Sequence, residues 1–429
     1  MKKIGISIIC LCLILTGCRG GYKEFPLQGS VNSKTQNLVE ELKHDKEIDF
    51  AYTVIDAQDY DEAAVHLALT EFALRLFEVD IMEDGAQKNI LISPTSMITA
   101  LGMTSYGAKG DTLAQMEALF GVSRGHLNHH NYQLLSNLSD KVKIANSIWL
   151  TNDESLTVNE DFLYFDEEFY GAEIYETAFN DATKLAINDW VERNTDGMIK
   201  DVLSEIPPDA VMYLINALAF EAEWAEKYDS TQIRENMKFT NSVGEEQKVD
   251  MMASVESLYL EDDYAKGFIK YYKDKEYAFV ALLPNEDVNL YQYAKGLTGK
   301  HLQNMLSNPQ QATVQVHIPE FSYEYSVEMS DMLEKMGMTD AFDGGKADFT
   351  NMATSTEGNI FINRVIHKTF IEVSPHGTKA GAATLVEMNC ESAPYYEDLK
   401  EVFLERPFIY MIIDTESNQP LFIGVLNQV

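Results

Sequence analysis

Cysteine is nearly absent from this chain: four occur in 429 residues, and Cys10, Cys12 and Cys18 fall at the start, leaving Cys390 nearly alone. A fold held by intramolecular disulfides is thereby excluded. Basic residues are scarce as well, 33 against 68 acidic ones for a formal charge of −35. A surface so acidic repels nucleic acid, heparin-like polyanions and anionic lipid headgroups, so none of these is an expected partner. There is no G-x-S-x-G elbow, no H-E-x-x-H and no P-loop, so the hydrolase and nucleotide chemistry those motifs carry is not expected. No cofactor and no metal site is expected, and no internal repeat is visible.

What is present at the N-terminus is an export signal. Lys2 and Lys3 precede the apolar run Ile4 to Leu15, which is shorter than the roughly 18 residues a spanning helix needs. The tetrad Leu15-Thr16-Gly17-Cys18 resembles the lipobox of bacterial lipoproteins, in which the cysteine is acylated and becomes the first mature residue. The expected organisation is a signal peptide over residues 1–17, a lipidated N-terminus and tether over 18–60, and one domain over 61–429. Acyl chains on Cys18, at roughly 0.8 kcal/mol per buried methylene, would anchor an exported domain to the bacterial cell envelope, at the outer membrane or cell surface.

From Asp61 the pattern changes. Val65, Leu69, Phe72 and Leu76 recur at helical spacing, and strand-like runs follow at 141–150, 210–220, 277–284, 361–373 and 408–426. Helical patterns lie irregularly between them, which predicts an α+β fold, not a regular βαβ winding.

Two constellations could carry chemistry. Cys390 invites a cysteine-nucleophile reading, but Glu387 and Glu391 flank it and disfavour the thiolate. His126, His129 and His130 could share a helical face, but no cysteine or carboxylate stands at useful spacing, so they read as a solvated face. The stretch after Glu372 is more informative. Read as a strand, one face takes Thr378, Ala380, Ala382, Thr384, Val386 and Met388, all uncharged, and the other takes Lys379, Gly381, Ala383, Leu385 and Glu387. Small residues at its start and an exposed, proline-punctuated end describe one segment with two possible states, loop and inserted strand.

Here the chain resembles the serpin family, from Asp61 to the end. The carrying segments are KNILISPTSMITALGMTSYGAKGDT (88–112), INDWVERNTDGMIKDVL (187–203), LINALAFEAEW (214–224), IPEFSYEYSVEMSDMLEKMGMTDAF (318–342), RPFIYMIID (406–414) and PLFIGVLNQV (420–429). The resemblance implies three β-sheets, eight to nine helices, a monomer, and an exposed reactive-centre loop at about 375–400. It implies no enzyme but a suicide inhibitor of serine, sometimes cysteine, proteases: the loop is cut, inserts as a new central strand, and traps the acyl-enzyme.

Residue by residue, the resemblance places Ser93, Ser96, Asn216 and His367 in a central shutter and Trp224 at the breach where insertion begins. Gly377, Thr378, Ala380, Gly381, Ala382 and Ala383 form the hinge. Counting from Gly377 puts the reactive bond at Glu391-Ser392, with Cys390 or Met388 as alternatives. Pro375 and His376 stand where the family usually carries charged residues. The expected consequences are a lost ladder hydrogen bond, a nearby lysine without its acid, and a looser mouth. A non-inhibitory member acting as a protease substrate or binding module is the competing expectation.

Overall fold

The computed structural model describes residues 35–39, 60–83, 88–207, 210–356, 358–378 and 399–429. Nine α-helices occur among them. In the first, Glu62–Glu83, the residues read as its apolar stripe (Val65, Leu69, Phe72 and Leu76) are all buried. The helix Pro94–Gly107 shows what its opening motif builds. Ser93 is the N-cap, accepting the Ser96 N–H, and Pro94 takes the first helical position, where a missing N–H costs nothing.

The central sheet runs, in order, Gln36–Asn37, Glu173–Thr177, Val142–Thr151, Met212–Phe220 and Arg364–Ser374, with Phe321–Glu328 on the far side of the last. Val142–Thr151 and Met212–Phe220 pair antiparallel without a break from Val142 opposite Phe220 to Leu150 opposite Met212. Within the segment expected as a tether, residues 35–39 join this sheet: Leu38 donates its N–H to Ile174 O at 2.7 Å, and Val39 is buried.

The other large ladder is organised by Glu246–Glu261, sixteen residues long. Its first part, to Met252, pairs with Ile233–Thr240, residues from Met251 to Tyr259 pair with Gln310–Pro319, and its end pairs with Ala265–Tyr271. The ladder continues through Tyr277–Pro284, Phe408–Asp414, Pro420–Leu426 and Ile90–Ile92, and Leu399–Phe403 closes its other edge in parallel with Gln310–Pro319. These nine strands form one sheet, and Leu156–Val158 paired with Ala353–Ser355 forms a third, so three sheets stand among the described residues, as the resemblance implied. The run read as 408–426 is a hairpin, Phe408 facing Leu426.

The hairpin's inner face is packed to the limit at Gly424. A Cβ there would lie 2.5 Å from Ile90 O and 2.8 Å from the Tyr410 ring. Gly424→Ala is therefore expected to lower unfolding stability by about 1–3 kcal/mol, because backbone on one side cannot yield. Denaturant unfolding measures it, and an unchanged midpoint would contradict this packing.

Candidate functional site

The central sheet is incomplete. Met212–Phe220 meets Arg364–Ser374 in parallel only at Tyr213 with Arg364 and Leu214 with Val365. Beyond these two pairs no ladder joins the two strands among the described residues. The slot closes again at the top by a different route. After Ser374 the chain turns through Pro375 and His376, and Gly377–Thr378 pairs antiparallel with Val373–Ser374 on one side and Ala222–Glu223 on the other. The first two hinge residues thus already occupy a strand position in the mouth of the slot.

Local chemistry explains why these residues seat there. Gly377 has φ +152°, and a Cβ on it would lie 2.1 Å from Ala222 O, so no side chain fits. Thr378 is 2% exposed, on the face expected to be buried, and its Oγ1 lies 2.6 Å from the Tyr272 hydroxyl. Tyr272 stacks on Trp224 with centroids 4.5 Å apart. Trp224 holds the turn with two donors, Nε1 to Ser374 O at 2.9 Å and its backbone N–H to His376 O at 3.0 Å, and Tyr228 N–H donates to Pro375 O at 3.1 Å.

The expected looseness at Pro375 is not found. Proline takes the second position of the turn Ser374-Pro375-His376-Gly377, where its fixed φ is an advantage and no ladder donor is required. The missing acid is also accounted for. Glu320 stands in the position of the lysine in the Pro-Lys-Phe block that this chain resembles. Its carboxyl is pushed up by burial and by Asp250, with His376 pulling it down and Glu372 raising it further. The lysine that is buried near the mouth, Lys270, has its own partner in Glu256 at 2.8 Å and lies over the Tyr228 ring at 4.7 Å. Glu256 also accepts from Ser254 Oγ at 2.7 Å, so the buried pair is hydrogen-bonded further.

Below the mouth, the four shutter residues form one network. His367 Nε2 accepts the Ser93 N–H at 2.9 Å, and Ser93 Oγ donates to Leu421 O at 2.7 Å while accepting from Ser96 N–H. Ser96 Oγ donates to Asn216 Oδ1. Asn216 Nδ2 in turn donates to Asn146 Oδ1 at 2.6 Å, and Asn146 Nδ2 to Tyr170 O at 3.0 Å. The helix at 94–107, the strand at 364–374 and the strand at 212–220 are thus tied across the place where the sheet must open.

Sequence reading missed Asn146, Tyr272 and the Lys270–Glu256 pair. Asn146 carried a signal, a lone amide inside an apolar strand run, and it faces Asn216 directly in the ladder. The histidine trio needs correction: His130 is buried, not solvated, stands edge-on to His66 at 5.6 Å, and has its pKa pulled down to about 3 by burial and the neighbouring histidines. Among the described residues no cluster suits a metal ion. Ala380, Gly381, Ala382, Ala383, Met388, Cys390, Glu391, Ser392 and Cys18 lie outside the described residues.

The site is thus a central sheet with an open slot, Gly377–Thr378 seated at its mouth and a polar network beneath. Comparison with known proteins agrees. The sequence profile described as Serpin (serine protease inhibitor) matches residues 67–429. The chain is 32% identical to human Serpin B8 over 369 residues, 82% of this chain and 96% of that one. It is 30% identical to the leukocyte elastase inhibitor of Xenopus laevis over 378 residues, 83% and 97% respectively. The crystal structure of the thermophilic serpin tengpin in its native state superposes with a TM-score of 0.82 at 40% identity, covering 92% of this chain and all (100%) of that one. This chain belongs to the serpin family.

Burial lowers the pKa of His367 from 6.5 to about 4, so the native state keeps it neutral where the unfolded chain binds a proton. Stability therefore falls as pH drops from 6.5 towards 4, and this one group accounts for roughly 3 kcal/mol of the loss. His367→Gln, which keeps an acceptor for the Ser93 N–H, should flatten the profile by that share while His130 leaves its own. Unfolding free energies across this pH window test it, and an identical slope in the variant would refute the assignment.

Proposed function

We propose that this serpin inhibits serine proteases, and some cysteine proteases by the same route, by being cut once and trapping the acyl-enzyme. The supporting observation is the slot itself, whose mouth already holds Gly377–Thr378 in ladder register on both sides. The protease nucleophile attacks the carbonyl carbon of Glu391, the bond to Ser392 breaks, and the Ser392 nitrogen takes a proton and leaves as a new N-terminus. Residue 391 stays esterified to the enzyme. The chain from Lys379 onward then extends the seated strand, gaining ladder hydrogen bonds at about 0.5–1.5 kcal/mol each and burying its uncharged face. Strand addition with release of stored strain is the family's device. A native state held above a more stable inserted one is kinetically trapped, and the shutter network supplies part of that barrier.

A glutamate at the cut favours proteases with a basic specificity pocket. The non-inhibitory alternative rests on Pro375, which here stands in a turn and not in a ladder. We also propose attachment to a bacterial envelope through acylated Cys18.

Incubation with a glutamyl endopeptidase should give a complex that survives SDS and a released peptide whose mass corresponds to residues 392–429. Cleavage at Cys390 or Met388 would move that mass by the intervening residues. Thr378→Arg would force a charged side chain against Tyr272, so cleavage should continue while the complex falls at least tenfold; turnover without complex in the parent chain would overturn the inhibitor reading.

Cys18→Ala is expected to move the protein from the membrane fraction to the soluble fraction and to abolish labelling by a fatty-acid analogue. Membrane retention of the variant would refute the anchor.

A further inference from the structure

Away from the slot, a groove of about 1000 Å³ opens between the ends of the strands Ala265–Tyr271 and Tyr277–Pro284, the turn after Thr240 and the segment 401–407. Cavities of this size hold small organic ligands. Arg406 lies in it, half-buried. Its Nη2 donates to Pro284 O at 2.5 Å, and it forms no other hydrogen bond and no ion pair among the described residues. Burial pulls its pKa below the ordinary arginine value, with Glu286 opposing.

In a chain with 68 acidic and 33 basic residues, a half-buried guanidinium without a carboxylate is contrary to the overall charge balance. Lys266, opposite Leu283 in the ladder, is in the same position. Its cross-strand neighbour Glu261 accepts instead from the Tyr259 hydroxyl at 3.1 Å. Of the carboxylates on the rim, Glu286 acts on Arg406 without forming an ion pair, Asp287 and Glu401 are exposed, and Glu405 faces His317 at 3.4 Å. The lining also holds apolar residues, Leu283, Pro284, Leu290 and Phe403. A guanidinium with most of its donors unspent is matched by a planar carboxylate, which it can hold with two parallel hydrogen bonds.

We propose that this groove binds a small amphipathic organic carboxylate, its acid group on Arg406 with Lys266 as second cation and its apolar body along Leu283, Leu290 and Phe403. The site is separate from the slot and from Gly377–Thr378 at its mouth, and its binding does not depend on whether the chain inhibits a protease.

The test uses the intact domain and three isosteric probes, 4-phenylbutyrate, 4-phenylbutanol and 4-phenylbutylamine, titrated by calorimetry and ligand-observed NMR. The acid should bind saturably, the alcohol at least tenfold more weakly, and the amine not at all. Arg406→Gln should weaken the acid roughly tenfold and Lys266→Gln roughly threefold, with the Lys266 variant melting as the parent does. Equal affinity for acid and alcohol, no saturable binding of the acid, or an unchanged affinity in Lys266→Gln together with Arg406→Gln would overturn the proposal. Should Arg406→Gln not fold, the probe comparison and Lys266→Gln decide it alone.

Discussion

Everything in this molecule depends on a sheet that stops short of pairing its two central strands. Tyr213 and Leu214 meet Arg364 and Val365, and there the ladder between them ends. Backbone donors and acceptors along the rest of the slot are strong, obligatory hydrogen-bonding groups, and a strand that reaches them gains both the bonds and the buried face. On the proposed mechanism such a fold is held short of a more stable arrangement by a barrier, and the polar residues around the slot matter through the cost of breaking their contacts.

Two devices share that work, and they differ in kind. The shutter is a chain of neutral hydrogen bonds from His367 through Ser93, Ser96, Asn216 and Asn146 to Tyr170 O. Each bond is modest, but separating the strands strands several buried partners at once, and an unsatisfied buried polar group costs about 1–3 kcal/mol. The mouth is held by aromatic packing and a buried charge pair. Trp224, Tyr272 and Lys270 stack or face one another, and Glu256 neutralises the lysine. A lone charge there would be far more costly than the pair, so the pair fixes geometry more than it adds stability.

The family-bearing motifs made the fold legible: local rules place Ser93 at a helix cap, Pro94 at the first turn and the apolar stripe of the first helix on the core. Ser93, Ser96, Asn216 and His367 meet in one hydrogen-bond network, and Trp224 holds the turn after Ser374. What stayed hidden was long-range. Lys270 and Glu256 are fourteen residues apart on neighbouring strands, and nothing in either segment reports that they meet. Tyr272 reaches Thr378 across 106 positions. Pro375 misled because a proline was judged against a continuing strand, whereas the chain turns there and the rule that forbids proline in a ladder does not apply.

That turn changes how insertion starts. Nucleating a strand is the unfavourable part, since the first residues are fixed before the ladder repays their entropy, at roughly 1–2 kcal/mol of backbone entropy per residue. Here Gly377 and Thr378 are already fixed, with partners on both sides and the Tyr272 hydroxyl on the threonine. The ordering cost of starting has been met during folding of the native state. On the proposed mechanism, insertion would extend an existing strand, and the shutter between Met212–Phe220 and Arg364–Ser374 is the contact it would have to part. On that mechanism, Pro375 and His376 in place of charged hinge residues leave the starting point intact, since Gly377–Thr378 keeps its partners on both sides.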